Sequence, residues 1–159
     1  MLHGMEAPVK ASSLTLAVCE KMAALLNRYL PAGDRVDASA KMGDWQDAVA
    51  STLLFLGWGE GETLVAIGCV NICYTLTDGR VARVEEVVVD EAVRDEAMER
   101  EVLRQITSWV EERVDAITVD DRVRLVTPRA LKAEGFLKGL GAHCWWRPVP
   151  VPASSDASR

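Results

Sequence analysis

Apolar positions along the chain follow two periods, and the switches between them predict its elements. The strongest helical period lies over 95–114, where Met98, Val102, Leu103, Ile106, Trp109, Val110 and Val114 fall at steps of three and four. Such a stripe marks a helix facing a core. Met22, Leu25, Leu26 and Tyr29 form a narrower stripe over 20–30, stopped by Pro31 and Gly33. A short helix is expected near Asp44, with Trp45, Val49 and Ala48 turned inward. Strand-length apolar runs occupy 14–18, 52–58, 63–76 and 80–90, and the run Val87-Val88-Val89 points to burial on both faces.

Turn chemistry orders these runs. Gly57-x-Gly59-x-Gly61 and Asp78-Gly79 each close a hairpin. The glycine cluster has the look of a phosphate loop, but it sits between two strands, whereas a phosphate loop joins a strand to a helix. Thr127-Pro128 reads as the N-cap and first position of a helix ending at Gly139 or Gly141, after a strand over 123–126 and before a last strand over 143–147. Ile117 and Val119 make 115–122 either an extra strand or a loop. Hairpins before Asp90 and strand-helix alternation after it predict an α+β fold, layered α/β/α, with a mixed and twisted central sheet. The expected organisation is a loose N-terminus over 1–12, one domain over 13–147 and a disordered Pro/Ser-rich tail over 148–159.

Charge narrows the function classes. A net charge of −6 repels phosphate backbones and anionic lipid, which argues against nucleic-acid and membrane partners. No run approaches the roughly 20 apolar residues needed to cross a bilayer. The four cysteines, Cys19, Cys69, Cys73 and Cys144, show neither C-x-x-C spacing nor neighbouring histidine ligands, so no metal site is expected. Cys69 and Cys73, four residues apart on one strand, stand about 13 Å apart, too far for a disulfide. Free thiols in a reducing, intracellular and most simply cytoplasmic compartment are the expectation.

Val84-Glu85-Glu86-Val87-Val88-Val89 resembles the fourth strand of the GCN5-related N-acetyltransferase (GNAT) superfamily, and most of all the V-E-D-V-V-V strand of glucosamine-6-phosphate N-acetyltransferases. Gly135-Phe136-Leu137-Lys138-Gly139-Leu140-Gly141 is similar to the family's G-F-Y-K-K-x-G segment, and the element order fits from Leu14 to Arg147. The resemblance implies acetyl-CoA as cofactor, with its pantetheine arm on the backbone of Val87, Val88 and Val89. It implies Glu85 or Glu86 as proton acceptor. Adjacent strand residues point to opposite faces, so one of the two at most is expected to face the site; the alternative role for such acids is pairing with Arg83 or Arg80. The family's pyrophosphate loop, R-G-x-x-x-G, corresponds to Arg94-Asp95-Glu96-Ala97-Met98-Glu99. Arg94 and Ala97 remain as candidate cofactor contacts, but both glycines are gone and three carboxylates have entered. Carboxylates in a first turn stabilise a helix by about 0.3–1 kcal/mol each, and so can cap it where an anion otherwise would.

Further departures stand at Leu137, where the family has the tyrosine that protonates the leaving thiolate, and at Ala133, where it has an asparagine. Tyr29, Tyr74, His143 and Cys144 are possible replacements. The pattern favours a degenerate acetyltransferase fold kept as a binding or scaffolding domain. The alternative is an active acetyl-CoA-dependent N-acetyltransferase for an amino sugar phosphate or similar small amine; an unrelated α+β interaction domain is a third reading. Trp145-Trp146 on the last strand places one ring inward and one outward, and the outward ring makes a homodimer the expected assembly, alongside a possible protein partner.

Overall fold

The computed structural model describes residues 2–120, 127–138 and 144–150. Among these residues seven strands form one sheet in the order β1-β2-β3-β4-β5-β7-β6: β1 (Gly4–Glu6), β2 (Leu53–Trp58), β3 (Leu64–Thr75), β4 (Gly79–Val89), β5 (Ala116–Asp120), β6 (Leu137–Lys138) and β7 (Cys144–Pro148). Only β4 and β5 run parallel; the other neighbours are antiparallel. Helices α1 (Leu16–Asn27) and α2 (Ala38–Ala48) cover one face, and α3 (Glu96–Glu111) and α4 (Pro128–Ala133) the other. This is the expected α+β arrangement with a mixed sheet between helical layers.

Two apolar clusters hold the layers. Val102, Leu103, Ile106 and Val110 of α3 pack on Phe55, Val70, Val84, Val87 and Val89, while Cys19, Met22 and Leu25 of α1 pack on Leu54, Ile67 and Val88. The Val87-Val88-Val89 run therefore feeds both cores. Gly68 lets α3 lie close to the sheet, since a Cβ there would stand 2.6 Å from Ile106 Cδ1. Trp145 is turned into the α3 core and Trp146 outward, 5% and 40% exposed.

Several expectations are corrected. Residues 14–18 are no strand: the Thr15 hydroxyl accepts from Val18 N–H and starts α1 there, because Cys19, Met22 and Ala23 continue a helical stripe. Within 2–12 the structure places a short strand that the sequence does not announce. Gly4–Glu6 pairs with β2, His3 N–H donates to the Trp58 carbonyl at 2.7 Å, and Val9 is buried. The exposed edge of β2 supplies the partner that an aperiodic segment lacks by itself. Helix α2 begins earlier than Asp44, capped by Asp37, whose carboxylate accepts from Ser39 and Ala40 N–H. Of the two readings of 115–122, the strand is right, as β5; the strand expected over 123–126 lies outside the described residues. Helix α4 stops at Ala133, short of Gly139, because Gly135 takes a φ of 86° that breaks the helix and sends Phe136 into the core. Pro148 still belongs to β7, and 151–159 lies outside the described residues.

Candidate functional site

Strand β4 carries the candidate residues, and an extra residue decides where they point. Opposite β3, Cys69 faces Glu86 while the next residue, Val70, faces Val84, which leaves Glu85 as a bulge. Val84 and Val87 consequently lie on the same α3 face, and both intervening glutamates turn to the face of α1 and α2. The two acids therefore share a face where strict alternation would separate them, and of the pair Glu86 alone lines the pocket there. Glu85 accepts from Asn71 Nδ2 at 2.6 Å, and Asn71 Oδ1 in turn accepts from Thr52 Oγ1 at 3.0 Å. Glu86 is exposed and has no hydrogen-bond or ion-pair partner among the described residues. Neither acid pairs with Arg83 or Arg80.

Glu86 borders a pocket of about 150 Å³ between the sheet and the two N-terminal helices. Met22 and Leu26 of α1, Trp45 of α2, Val49 just after it and Ile67 of β3 supply apolar walls. Cys69 lies beside Glu86, and burial first, then the charges of Glu86 and Glu85, push its thiol up to about 11. It is therefore a neutral wall and no nucleophile near neutral pH.

On its other edge β4 pairs with β5 only from Val81 to Val84. From Glu85 to Val89 the edge has no strand partner among the described residues, which resume at Thr127 after Asp120. Asp90 N–H donates to the Val65 carbonyl, which fixes the phase of the β3 ladder. By alternation Val88 spends its backbone groups on β3, whereas those of Val87 and Val89 point away from it. Tyr29 Oη donates to the Val89 carbonyl at 2.8 Å and accepts from Glu91 N–H at 2.8 Å, so its hydroxyl is committed to holding the end of β4. Burial, its largest influence, pushes that phenol up. Tyr74 stands out near the β3–β4 turn, 72% exposed.

Three carboxylates crowd the start of α3. Asp95 is the N-cap and accepts from Met98 N–H at 2.7 Å; Glu96 meets Arg129 Nε at 3.0 Å. Glu99 is 2% exposed and accepts from Thr127 N–H at 3.2 Å and Thr127 Oγ1 at 3.0 Å, tying the first turn of α3 to the cap of α4. Arg94 turns toward that carboxylate, its Nε 4.0 Å from Glu99 Oε1. These groups line a cavity of about 340 Å³, and Ala97 is exposed in the same turn. Leu137, 61% exposed on β6, offers no donor, and Ala133 is exposed at the end of α4. His143 lies outside the described residues. Among the described residues no cluster of His, Cys, Asp and Glu has metal-site geometry, and no helix is long and apolar enough to cross a membrane.

Sequence reasoning missed the bulge, Asn71, the role of Tyr29 and the α1–α2 pocket. One signal for the bulge was present: two adjacent acids between Val84 and Val87 both stay out of the core only if the strand gains a residue.

A mixed, mostly antiparallel sheet with one parallel pair, β4 and β5, and helices on both faces among the described residues is the fold of the GNAT acetyltransferases. It aligns with a GNAT family acetyltransferase from Staphylococcus aureus at a TM-score of 0.67 and 11% identity, covering 89% of this chain and 96% of that one. The aminoglycoside 6'-N-acetyltransferase AAC(6')-IG of Acinetobacter haemolyticus aligns at 0.62 and 16% identity, over 87% of this chain and 94% of that one. The yncA acetyltransferase of Salmonella typhimurium, solved with acetyl-CoA, aligns at 0.60 and 11% identity, over 96% and 98%. The chain matches no protein-family model and no curated protein sequence.

Proposed function

We propose that the protein is a binding domain built on the acetyltransferase fold, with the pyrophosphate cradle closed by its own side chains. The observation that carries this reading is the start of α3, where Asp95, Glu96 and Glu99 hold the cap, Arg129 and Thr127. The residues present do not fit a pyrophosphate. An entering anion meets three carboxylates, and the two nearest cations already face Glu96 and Glu99. No glycine stands in the first turn to let a phosphate approach the backbone.

The test is a thermal-shift and calorimetric titration with acetyl-CoA. A ligand at a hundred times its Kd stabilises the folded state by about 2.7 kcal/mol, a Tm rise of roughly 5–11 °C for a chain of this size. The expected result is no shift; micromolar binding would overturn the reading.

One observation favours a second reading, an active acetyl-CoA-dependent N-acetyltransferase. Glu86 borders the pocket between the sheet and the two N-terminal helices, has no hydrogen-bond or ion-pair partner among the described residues, and can take a proton from an amine there. Release of free CoA thiol in the presence of an amine separates the two.

A further inference from the structure

We propose that the loop over 28–35 is a strap that holds the outer edge of β4 shut, with the Tyr29 hydroxyl standing where one amide of an extended ligand chain would pair. This goes beyond the closed cradle, because it concerns the strand and the arm of a ligand, and leaves the start of α3 and the phosphates aside.

Asp90 N–H is spent on Val65 of β3, so the carbonyl of Val89 lies on the opposite edge, the one that β5 occupies from Val81 to Val84. In a parallel ladder a partner residue donates its N–H to the carbonyl of residue i and takes the N–H of residue i+2 on its own carbonyl. Tyr29 makes both bonds with one oxygen, donating to the Val89 carbonyl and accepting from Glu91 N–H, each at 2.8 Å. Those are the two groups that a chain of secondary amides needs in order to add itself to this edge. Arg28 fastens the same turn. Its Nη1 stands 2.5 Å from Asp90 Oδ1, and Asp90, 6% exposed, also accepts from Ala92 N–H at 3.0 Å. The strap has a foot of its own: Asn27 accepts from Val36 N–H at 2.8 Å and donates to the Val36 carbonyl at 2.9 Å, so the ends of the loop stay joined when Tyr29 lets go. Residues 31–35 between them are exposed. The side chains of Arg28 and Tyr29 supply the hydrogen bonds to the strand and its turn.

The test uses the full chain and acetyl-pantetheine, a diamide arm without a pyrophosphate, so its outcome is independent of the cradle. Tyr29→Phe keeps the ring, which packs on the α1 core, and removes the hydroxyl. Amide hydrogen exchange should show Glu91 N–H exchanging faster in the variant. Calorimetry should show acetyl-pantetheine binding the variant more tightly than wild type by roughly tenfold or more, and saturation with it should slow the Glu91 exchange again. Arg28→Gln, at a half-exposed side chain, loosens the strap with Tyr29 intact and should give a smaller gain. Equal affinity of wild type and Tyr29→Phe, even with a loss of stability, makes Tyr29 a structural tie and overturns the proposal. Tighter binding that leaves the Glu91 amide exchanging fast overturns it too. Micromolar acetyl-CoA binding by the wild type bears on the cradle; the strap stands or falls on the comparison with acetyl-pantetheine.

Discussion

Replacing Asp95 by Gly and Glu96 by Lys tests whether the start of α3, and nothing else in the fold, keeps out a pyrophosphate. Asp95 accepts the Met98 N–H at 2.7 Å, and glycine at that position frees the donor while letting a phosphate come close to the backbone. Lysine at 96 reverses a charge and releases Arg129 from its 3.0 Å pairing. The formal charge of the turn rises by three, one unit from Asp95 and two from Glu96. A carboxylate roughly 5 Å from a phosphate charge costs about 3 kcal/mol at an effective dielectric constant of 20, which is on the order of a hundredfold in affinity. The folded state loses little. Glycine at an N-cap costs a few tenths of a kcal/mol relative to Asp, and an ion pair whose arginine is 85% exposed contributes about 0–1 kcal/mol. Glu99 stays, because without it Thr127 loses both of its hydrogen bonds to a buried carboxylate. Calorimetry should show acetyl-CoA binding the double variant at least a hundredfold more tightly than the wild type, with the gain shrinking as salt is raised. Acetyl-pantetheine, which lacks the pyrophosphate, should show no gain. Equal affinity of wild type and variant for acetyl-CoA would refute the reasoning.

Three further outcomes are expected. Gly68→Ala should destabilise the fold by about 1–3 kcal/mol, because the new Cβ would stand 2.6 Å from Ile106 Cδ1; an unchanged urea midpoint would show that α3 yields freely. Burial pushes the Glu134 carboxyl up, but its hydrogen bonds and charge contacts with Arg100 and Arg104 outweigh this and hold it below the ordinary 4.5. A depressed folded pKa stabilises above the unfolded value and is lost as pH falls through the folded one, so Glu134→Gln should lower the urea midpoint at neutral pH, with the difference from wild type vanishing as acid protonates the carboxyl. With its thiol pushed up to about 11 by burial and then by Glu86 and Glu85, Cys69 should alkylate slowly in the native protein. The rate should climb with alkaline pH and rise at fixed pH in Glu86→Gln, and rapid iodoacetamide labelling at neutral pH, read by peptide mass spectrometry, would contradict this.

The central elements were legible because their patterns are long. Over 95–114 the apolar steps admit only a helix, and the paired hairpin signals around β3 and β4 leave little freedom of register. Short segments were not. Five residues at 14–18 fit a strand or a helix start equally well, and Cys19 and Met22 beyond them decide the matter. Gly4–Glu6 carries no pattern because its structure comes from the edge of β2. The acids of β4 and of the loop at 94–99 were visible as residue types, but their roles depend on geometry: Glu99 became a buried tie to Thr127, and Glu85 changed faces. Tyr29 and Asn71 were unreadable as site residues, since each acts on a strand far from it in sequence.

The surplus residue in β4 bears on how such a face arises and is lost. Removal of Glu85 would restore strict alternation with Val84, Val87 and Val89 still in the α3 core and Glu86 still on the face of α1 and α2, because the bulge absorbs the surplus residue without shifting the ladder on either side. In this strand, then, a single inserted codon can place a second acid beside Glu86 while every flanking valine keeps its side, so the acidic face can grow or shrink by one residue without repacking either core.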